Sequence, residues 1–323
     1  MKDMSDTKTM ILTVAERFDD RGDIMQLTLK GDGPLPLFTA GAHIDLLVET
    51  PEGPLWRQYS LAGNPADRDC YRLGILKDPE SRGGSTALHR LVKTGEKVHV
   101  EGPRNHFPLA TDATNTVLFG GGIGVTPMLA MAWELHDRDA PFTLHYATRS
   151  AERTAFLDQI EGLPFRANIV LHHDDGQGAE PLDLARDLPK AEAGTHVYVC
   201  GPQGFMDWVI GEAEKAGYPG KQIHREYFSA DVDATGDSFE VYCEQSDLTV
   251  TVGPDETIAK VLAREGLKIE VKCEEGICGT CVTDVLEGEI DHRDQFLTEE
   301  EREDGDQICC CCSRAKGRLV LDI

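Results

Sequence analysis

The chain has 323 residues, and its 57 aspartates and glutamates outnumber its 32 lysines and arginines to give a formal net charge of −25. At roughly 100 to 200 residues per domain, this length predicts two or three domains. The charge argues against nucleic acid and anionic membrane as partners and favours a basic protein surface, although a merely solvated acidic surface would give the same total. No apolar run approaches the roughly 20 residues that a bilayer requires, and residues 1–6 lack the apolar core of a signal peptide, so we expect a cytoplasmic protein.

Residues 1–110 consist of short apolar or alternating runs separated by turn signals such as Gly31-Asp32-Gly33-Pro34. The runs cover residues 10–14, 25–29, 43–48, 71–76 and 97–100. Short strands at this spacing are typical of antiparallel barrels and sandwiches. We therefore predict an antiparallel β-barrel over residues 1–110.

Residues 111–228 alternate between strand-like and helix-like segments. Strands are predicted at residues 116–119, 142–146, 168–172 and 196–199, and helices at residues 127–136 and 203–216. Strands that alternate with helices of this length indicate βαβ units and a parallel α/β sheet. Such sheets bind ligands at the carboxyl ends of their strands.

Residues 229–238 are small and acidic, which is typical of an exposed linker, and a third domain is predicted over residues 239–323. This domain has predicted strands at 240–243 and 248–252 and a helix at 258–265. Seven of the ten cysteines follow residue 272. Because a reducing cytosol opposes disulfides and the cysteines are clustered, we interpret the cluster as a metal site.

Three cysteines, Cys273, Cys278 and Cys281, form the spacing C-x4-C-x2-C, with further cysteines about thirty residues on. This is the plant-type [2Fe-2S] spacing, in which one loop supplies three thiolates and a distant segment supplies the fourth. Gly276 and Gly279 give the loop the backbone freedom that it needs. A zinc site is the alternative, but zinc ribbons usually pair two C-x2-C knuckles.

A candidate flavin site begins at the end of a predicted barrel strand. Arg57 offers a charge-assisted donor, Tyr59 an aromatic wall and Ser60 a hydroxyl for the ring edge. Taken alone, this motif is as typical of a packed strand end.

A second motif lies at residues 81–86, directly before a helix predicted over residues 86–92. Backbone N–H groups here could form an anion nest for a phosphate, at Gly83, Gly84 and Ser85. Such a glycine-rich stretch is more often a simple loop, and the pairing of the two motifs is what favours a flavin.

The first strand of the predicted α/β domain ends in a glycine-rich turn before a helix, which favours a pyrophosphate. The residues concerned are Gly121, Gly122, Gly124 and Thr126. The turn is not a G-x-G-x-x-G fingerprint and could be only a tight turn. A second strand-to-helix junction follows at Cys200, Gly201 and Pro202.

The last 85 or so residues resemble a plant-type ferredoxin domain. In the related reductases the fourth ligand precedes a Ser-Arg-Ala by two residues, and here Ser313-Arg314-Ala315 assigns that role to Cys311. The run of four cysteines at 309–312 departs from the family pattern, and Cys310 is the runner-up. If the segment is extended, strand alternation turns Cys310 and Cys312 away from the face of Cys311.

The first two domains resemble the ferredoxin-NADP reductase superfamily, and Arg-Gly-Gly-Ser before the helix resembles its FMN-binding branch. This resemblance implies FMN rather than FAD, with the glycine-rich turn on the nucleotide pyrophosphate and Cys200 beside the nicotinamide. It also makes Phe228 a candidate flavin wall, although a buried strand aromatic is the alternative. The related FMN reductases use NADH, whereas Arg149 or Arg153 could bind the 2'-phosphate of NADPH.

The order of flavin, nucleotide and ferredoxin domains is that of the phthalate dioxygenase and vanillate demethylase reductases. The resemblance implies a reductase that moves electrons from NADH through FMN and [2Fe-2S] to a separate, Rieske-type oxygenase. No side chain is required as an acid or base, and Ser60 and Cys200 are expected only near the reacting rings. The alternatives are a stand-alone flavin oxidase or ferric reductase and a cluster-based redox sensor.

Overall fold

The computed structural model describes residues 9–50, 53–79, 83–229 and 233–323. The chain divides into two compact units, Met1–Glu226 and Tyr227–Ile323. The first unit contains two sheets and the second contains one. In the described part of the chain, no helix combines the length and apolar character that a membrane span requires.

The first sheet is antiparallel and curls on itself. Its strands are β1 (Met10–Asp19), β2 (Ile24–Lys30), β3 (Ala42–Thr50), β4 (Gly53–Ser60), β5 (Tyr71–Leu76) and β6 (Lys97–Asn105), and helix α1 covers Gly84–Leu91. The strand order is β4-β3-β6-β1-β2-β5, and a bridge between Leu61 and Leu73 links the two edges. Strand alternation turns one face of β1 into the core: Leu12 and Val14 are buried, while Ile11, which directly precedes Leu12, is exposed. The predicted antiparallel barrel is confirmed.

The second sheet of the first unit is parallel, as predicted. Its strands are β7 (Asn115–Gly121), β8 (Phe142–Thr148), β9 (Ile169–His173), β10 (Thr195–Cys200) and β11 (Ile223–Glu226), in the order β11-β10-β7-β8-β9. The helices are α2 (Val125–Asp137), α3 (Leu157–Glu161), α4 (Leu184–Asp187) and α5 (Gln203–Lys215). All six residues of β10 are buried, because a parallel sheet is covered on both faces. The carboxyl ends of β7, β10 and β11 therefore lie side by side.

The second unit is a mixed sheet with two helices, which confirms the predicted ferredoxin-like α+β domain. Its elements are β12 (Phe239–Cys243), β13 (Leu248–Val252), α6 (Ile258–Arg264), β14 (Val282–Asp291), α7 (Glu299–Asp304), β15 (Gln307–Cys309) and β16 (Arg314–Leu321). The order is β13-β12-β16-β14-β15, in which β12 and β16 run parallel. The acidic helix α7 begins with a capping box between Thr298 and Glu301.

The described part of the predicted linker is attached to the second unit. Arg314 is buried at 3% exposure, and its guanidinium donates hydrogen bonds to backbone carbonyls on either side of β12. The acceptors are Ala234 (2.5 Å), Asp237 (3.0 Å), Gly253 (3.0 Å) and Glu256 (2.8 Å). Residues 234–237 are therefore held by side-chain hydrogen bonds, while residues 230–232 of the predicted linker lie outside the described residues.

Candidate functional site

Six buried thiols meet in the second unit, and we call this group the cysteine pocket. Its members are Cys273, Cys278, Cys281, Cys309, Cys311 and Cys312. The thiol of Cys273 hydrogen-bonds those of Cys278 and Cys311, and the thiol of Cys281 hydrogen-bonds those of Cys309 and Cys311. The backbone N–H of Cys311 also donates to the Cys281 sulfur at 3.4 Å. All four predicted ligands are thus brought together.

The loop that carries the first three cysteines is shaped by two glycines. Gly276 has a φ of 67° and Gly279 a φ of 69°, a region that favours glycine. A Cβ atom on Gly276 would stand 2.5 Å from the Cys312 sulfur, and one on Gly279 would overlap the ring of Phe296. Both positions therefore require glycine for space as well as for conformation.

The run of four cysteines is not extended, and the predicted alternation is wrong for Cys312. Strand β15 ends at Cys309, and the N–H groups of Cys312 and Ser313 both donate to the Cys309 carbonyl, at 3.2 and 3.0 Å. This turn brings the Cys312 thiol against those of Cys309 and Cys311. Cys310, the predicted runner-up, instead directs its thiol to Thr283 Oγ1 at 3.4 Å.

The donor set of the pocket fits an iron–sulfur cluster. A [2Fe-2S] cluster of the plant type takes four thiolates, and the pocket supplies them from one loop and one distant turn. The N–H groups of Glu275 and Cys311 donate to pocket sulfurs at 3.3 and 3.4 Å, as hydrogen bonds to sulfur do when they tune a cluster.

The two halves of the candidate flavin motif meet on one side of the first sheet. A Cβ atom on Gly84 would lie 2.9 Å from Nε of Arg57, so the Arg57 side chain lies directly against the start of α1. Gly83 has a φ of 97° and is the N-cap of α1, where a glycine provides no capping side chain. A glycine-capped helix start beside a guanidinium fits a phosphate.

Two other residues of the flavin motif, Ser85 and Tyr59, are described by a hydrogen bond and by a raised pKa. The Ser85 hydroxyl accepts the N–H of Asp78 at 3.2 Å, which ties the first turn of α1 to the residue two positions after β5. Burial raises the pKa of Tyr59, against the lowering effect of nearby Arg57, and the phenol stays neutral. Ser81 and Arg82, which complete the motif, lie outside the described residues.

The glycine-rich turn after β7 packs directly on the end of β10. A Cβ atom on Gly121 would lie 2.8 Å from the ring of Phe205, and one on Gly124 would overlap the carbonyl of Cys200. Gly122, at a φ of 54°, faces open space. The turn thus leaves room for a ligand at Gly122 while Gly121 and Gly124 close on the neighbouring strand.

Thr126 is buried behind the glycine-rich turn. Its hydroxyl donates to the Ile123 carbonyl at 3.0 Å, and its methyl would lie 2.9 Å from a Cβ atom on Gly74 of β5. Thr126 is 1% exposed. Its side chain holds the turn and packs α2 against the first sheet, and its role at the nucleotide stays a prediction. Gly74, which permits this contact, was not predicted.

Ser60, Cys200 and the unpredicted Glu226 meet where the two sheets of the first unit join. The Ser60 hydroxyl donates to Glu226 Oε2 at 3.3 Å, and Cys200 pairs with Glu226 in the register of β10 and β11. Burial raises the pKa of Glu226 to about 8, against the lowering effect of the Ser60 hydrogen bond. Burial, and then the Glu226 charge, raise the pKa of the Cys200 thiol, which stays neutral.

Three predicted residues remain: Gly201, Pro202 and Phe228. Gly201 has a φ of 156°, and a Cβ atom there would lie 3.0 Å from Cα of Gly121. The Pro202 carbonyl accepts the N–H of Phe205 at 2.9 Å and begins α5. Phe228 belongs to the second unit, and its role as a flavin wall stays a prediction.

Two family models match this chain, one in each compact unit. Residues 241–316 match the family described as a 2Fe-2S iron-sulfur cluster binding domain, and residues 118–210 match the oxidoreductase NAD-binding domain. The chain is 45% identical over 306 residues to a vanillate O-demethylase oxidoreductase of Pseudomonas sp., covering 93% of this chain and 96% of that protein. It belongs to this family of oxygenase reductases.

Two solved structures extend the comparison. Phthalate dioxygenase reductase, described as a modular structure for electron transfer from pyridine nucleotides to [2Fe-2S], is 35% identical with a TM-score of 0.73 and 98% coverage of both chains. A type IV self-sufficient cytochrome P450 monooxygenase is 36% identical with a TM-score of 0.86. The alignment covers 98% of this chain and only 41% of that longer one.

These matches confirm the predicted family, fold class and oxidoreductase activity. The chain is a reductase component of an oxygenase system, and family membership supports the predicted cofactors FMN, [2Fe-2S] and NADH. The assignment of individual site residues stays a prediction.

Proposed function

We propose that this reductase takes a hydride from NADH at the junction of the two sheets of the first unit. It then delivers single electrons through its [2Fe-2S] cluster to a separate Rieske-type oxygenase. The observation that carries the proposal is the Ser60–Glu226 hydrogen bond of 3.3 Å, which joins the flavin-motif strand β4 to the nucleotide sheet beside Cys200. A bound flavin would accept the electron pair and release electrons singly, which links a two-electron donor to a one-electron cluster.

The side chains at this junction would bind and orient rather than break bonds. Arg57 and the glycine-capped start of α1 would neutralise the flavin phosphate, and Tyr59 would supply an apolar ring wall. The neutral Cys200 thiol would pack against the nicotinamide. Because its pKa is about 8, Glu226 would be mostly protonated at pH 7 and would add no negative charge near the reacting rings.

We propose NADH rather than NADPH, and FMN rather than FAD. Of the two arginines that could bind a 2'-phosphate, Arg153 stands 3.8 Å from Asp23 Oδ2, so its charge is partly neutralised. Arg149 is exposed. The glycine-capped start of α1 beside Arg57 supports a terminal phosphate such as that of FMN.

Two observations support an oxygenase as the electron acceptor: the acidic charge of residues 233–323 and the relatives of this chain. Residues 233–323 contain 23 acidic and 9 basic side chains, which favours a basic docking patch on the oxygenase. The vanillate and phthalate relatives support an aromatic-ring or demethylating oxygenase of the Rieske type as partner. We place the protein in the cytoplasm, where its ten free cysteines remain reduced.

The proposal is tested with the purified protein and its Cys281→Ser variant. We expect an iron- and sulfide-containing wild type with extractable FMN, preferring NADH, and a variant that keeps flavin reduction but no longer reduces cytochrome c. Retained cytochrome c reduction in the variant would contradict the relay, because electrons would bypass the cluster. Rapid reduction of dioxygen or ferric salts without a partner would favour the stand-alone flavin enzyme, and reconstituted turnover with a Rieske oxygenase would favour the relay.

A further inference from the structure

A buried carboxylate, Asp294, lies between β14 and α7 with its side chain at 0% exposure. Its Oδ2 accepts the N–H groups of Phe296 and Leu297 at 3.2 and 2.8 Å, and its Oδ1 accepts the hydroxyl of Ser313 at 3.1 Å. Buried carboxylates are costly unless they are paired or hydrogen-bonded, and this one has three donors. The charge is therefore held in a fixed place.

Asp294 is in contact with the cysteine pocket. A Cβ atom on Gly276, in the loop between Cys273 and Cys278, would lie 2.9 Å from Cα of Asp294, and the N–H of Gln295 donates to the Gly276 carbonyl at 2.9 Å. Ser313, which donates to Asp294, directly follows the cysteine run. The charge of Asp294 also acts on the thiol of Cys309.

Two basic groups face this carboxylate. Nη2 of Arg302 stands 3.7 Å from Asp294 Oδ2 and donates to the Asp294 carbonyl at 2.5 Å, while the Arg302 side chain remains 31% exposed. Nδ1 of His292 stands 3.5 Å from Asp294 Oδ1. Because Arg302 is a longer-range partner and reaches solvent, it offsets only part of the buried negative charge.

We propose that Asp294 is a positioning residue that lowers the reduction potential of the cluster, with Arg302 as the opposing charge that limits the effect. The inference rests on the proposed function of the cysteine pocket. Reduction adds one negative charge to the cluster, and a fixed carboxylate across the Gly276 loop opposes that charge in a medium of low dielectric constant. A lower potential makes the cluster a stronger donor to its oxygenase.

A purely structural role for Asp294 predicts a different outcome. The carboxylate also orders the loop through Phe296 and Leu297, and asparagine retains an acceptor oxygen for such hydrogen bonds while it removes the charge. A structural role would therefore leave the potential of an Asp294→Asn protein unchanged, provided that the cluster is retained.

The test is an EPR-monitored redox titration of the full-length holoprotein and its variants. We expect Asp294→Asn to raise the equilibrium constant for cluster reduction at least about tenfold, which is about 59 mV for one electron. Arg302→Gln should shift the potential in the opposite direction. Asp304→Asn, which removes an exposed charge at the end of α7, is the matched control and should shift it little.

Each result decides the inference. A fully loaded Asp294→Asn protein with the wild-type potential would overturn it. If that variant does not retain iron and sulfide, Arg302→Gln alone decides, since an unchanged or raised potential there would also overturn the inference. A wild type without a [2Fe-2S] EPR signal would reject the proposed function itself and is therefore distinguishable.

Discussion

The cysteine pocket and the Ser60–Glu226 junction are built in opposite ways. The pocket takes three of its thiols from nine consecutive residues, 273–281, and has six thiols where a cluster takes four. The junction takes single side chains from three separate strands, β4, β10 and β11. A site with more thiols than the cluster takes should tolerate the loss of those that are not ligands, whereas a site with one copy of each group depends on every one.

The largest expected effect tests which thiols of the cysteine pocket the cluster requires. Cys311→Ala should lose most of its [2Fe-2S] cluster, and cytochrome c reduction should fall by more than the roughly 10- to 100-fold that loss of an outer-shell partner costs. Cys310→Ala should keep both, because the Cys310 thiol is directed to Thr283. Iron and sulfide analysis with visible spectra measures the difference.

Cys312→Ala sharpens this prediction. Its thiol hydrogen-bonds those of Cys309 and Cys311, whereas Cys311 itself hydrogen-bonds Cys273 and Cys281 of the loop. We therefore expect a cluster with wild-type stoichiometry in this variant. Cluster loss in Cys312→Ala together with cluster retention in Cys311→Ala would show that the fourth ligand is Cys312 and not Cys311.

The next effect tests the single carboxyl of the junction. The pKa of Glu226 is raised from its usual 4.5 to about 8, so the group is neutral below pH 8 and ionised above it. We expect flavin reduction by NADH to slow above pH 8 by up to about tenfold per pH unit, as for a group required in its protonated form. Stopped-flow absorbance between pH 6 and 10 measures this profile.

Glu226→Gln should remove the pH dependence and keep the rate seen at low pH. The same profile in wild type and variant would rule out Glu226 as the titrating group.

Glu226 also makes the stability of the fold depend on pH. Because the folded protein binds this proton more tightly than the unfolded chain, the contribution of Glu226 to stability is fully present below pH 4.5 and is lost as pH rises through 8.

The smallest effect compares the two regions directly through their response to salt. On the proposed function, flavin reduction would take place inside the first unit, and we expect its rate to be nearly independent of ionic strength. Electron transfer to a basic oxygenase should slow by up to about tenfold when salt shortens the Debye length from about 10 Å at 0.1 M to about 3 Å at 1 M. Equal salt dependence of the two steps, measured in the same reconstituted mixture, would contradict acidic docking.

Features that depend on residues close together in the sequence were predictable, and contacts between distant residues were not. The cysteine loop was predictable because Gly276 and Gly279 lie between its ligands, and the parallel sheet because its strands alternate with helices along the chain. Glu226 and Asp294 were missed, since their roles depend on Ser60 and Ser313, which are distant in sequence. Cys312 was placed on the wrong face because a turn, unlike a strand, does not alternate its side chains.

The four carbonyls that Arg314 holds have a consequence for how the ferredoxin-like unit can be separated from the rest of the chain. A fragment that begins at residue 239, where composition first suggests a domain, would lack Ala234 and Asp237 and would leave a buried guanidinium with half of these acceptors. Unsatisfied buried donors destabilise a fold, and this cation lies at the first residue of β16, close to the cysteine run. An electron-transfer module transplanted into another protein should therefore carry the residues from 233 onward with it.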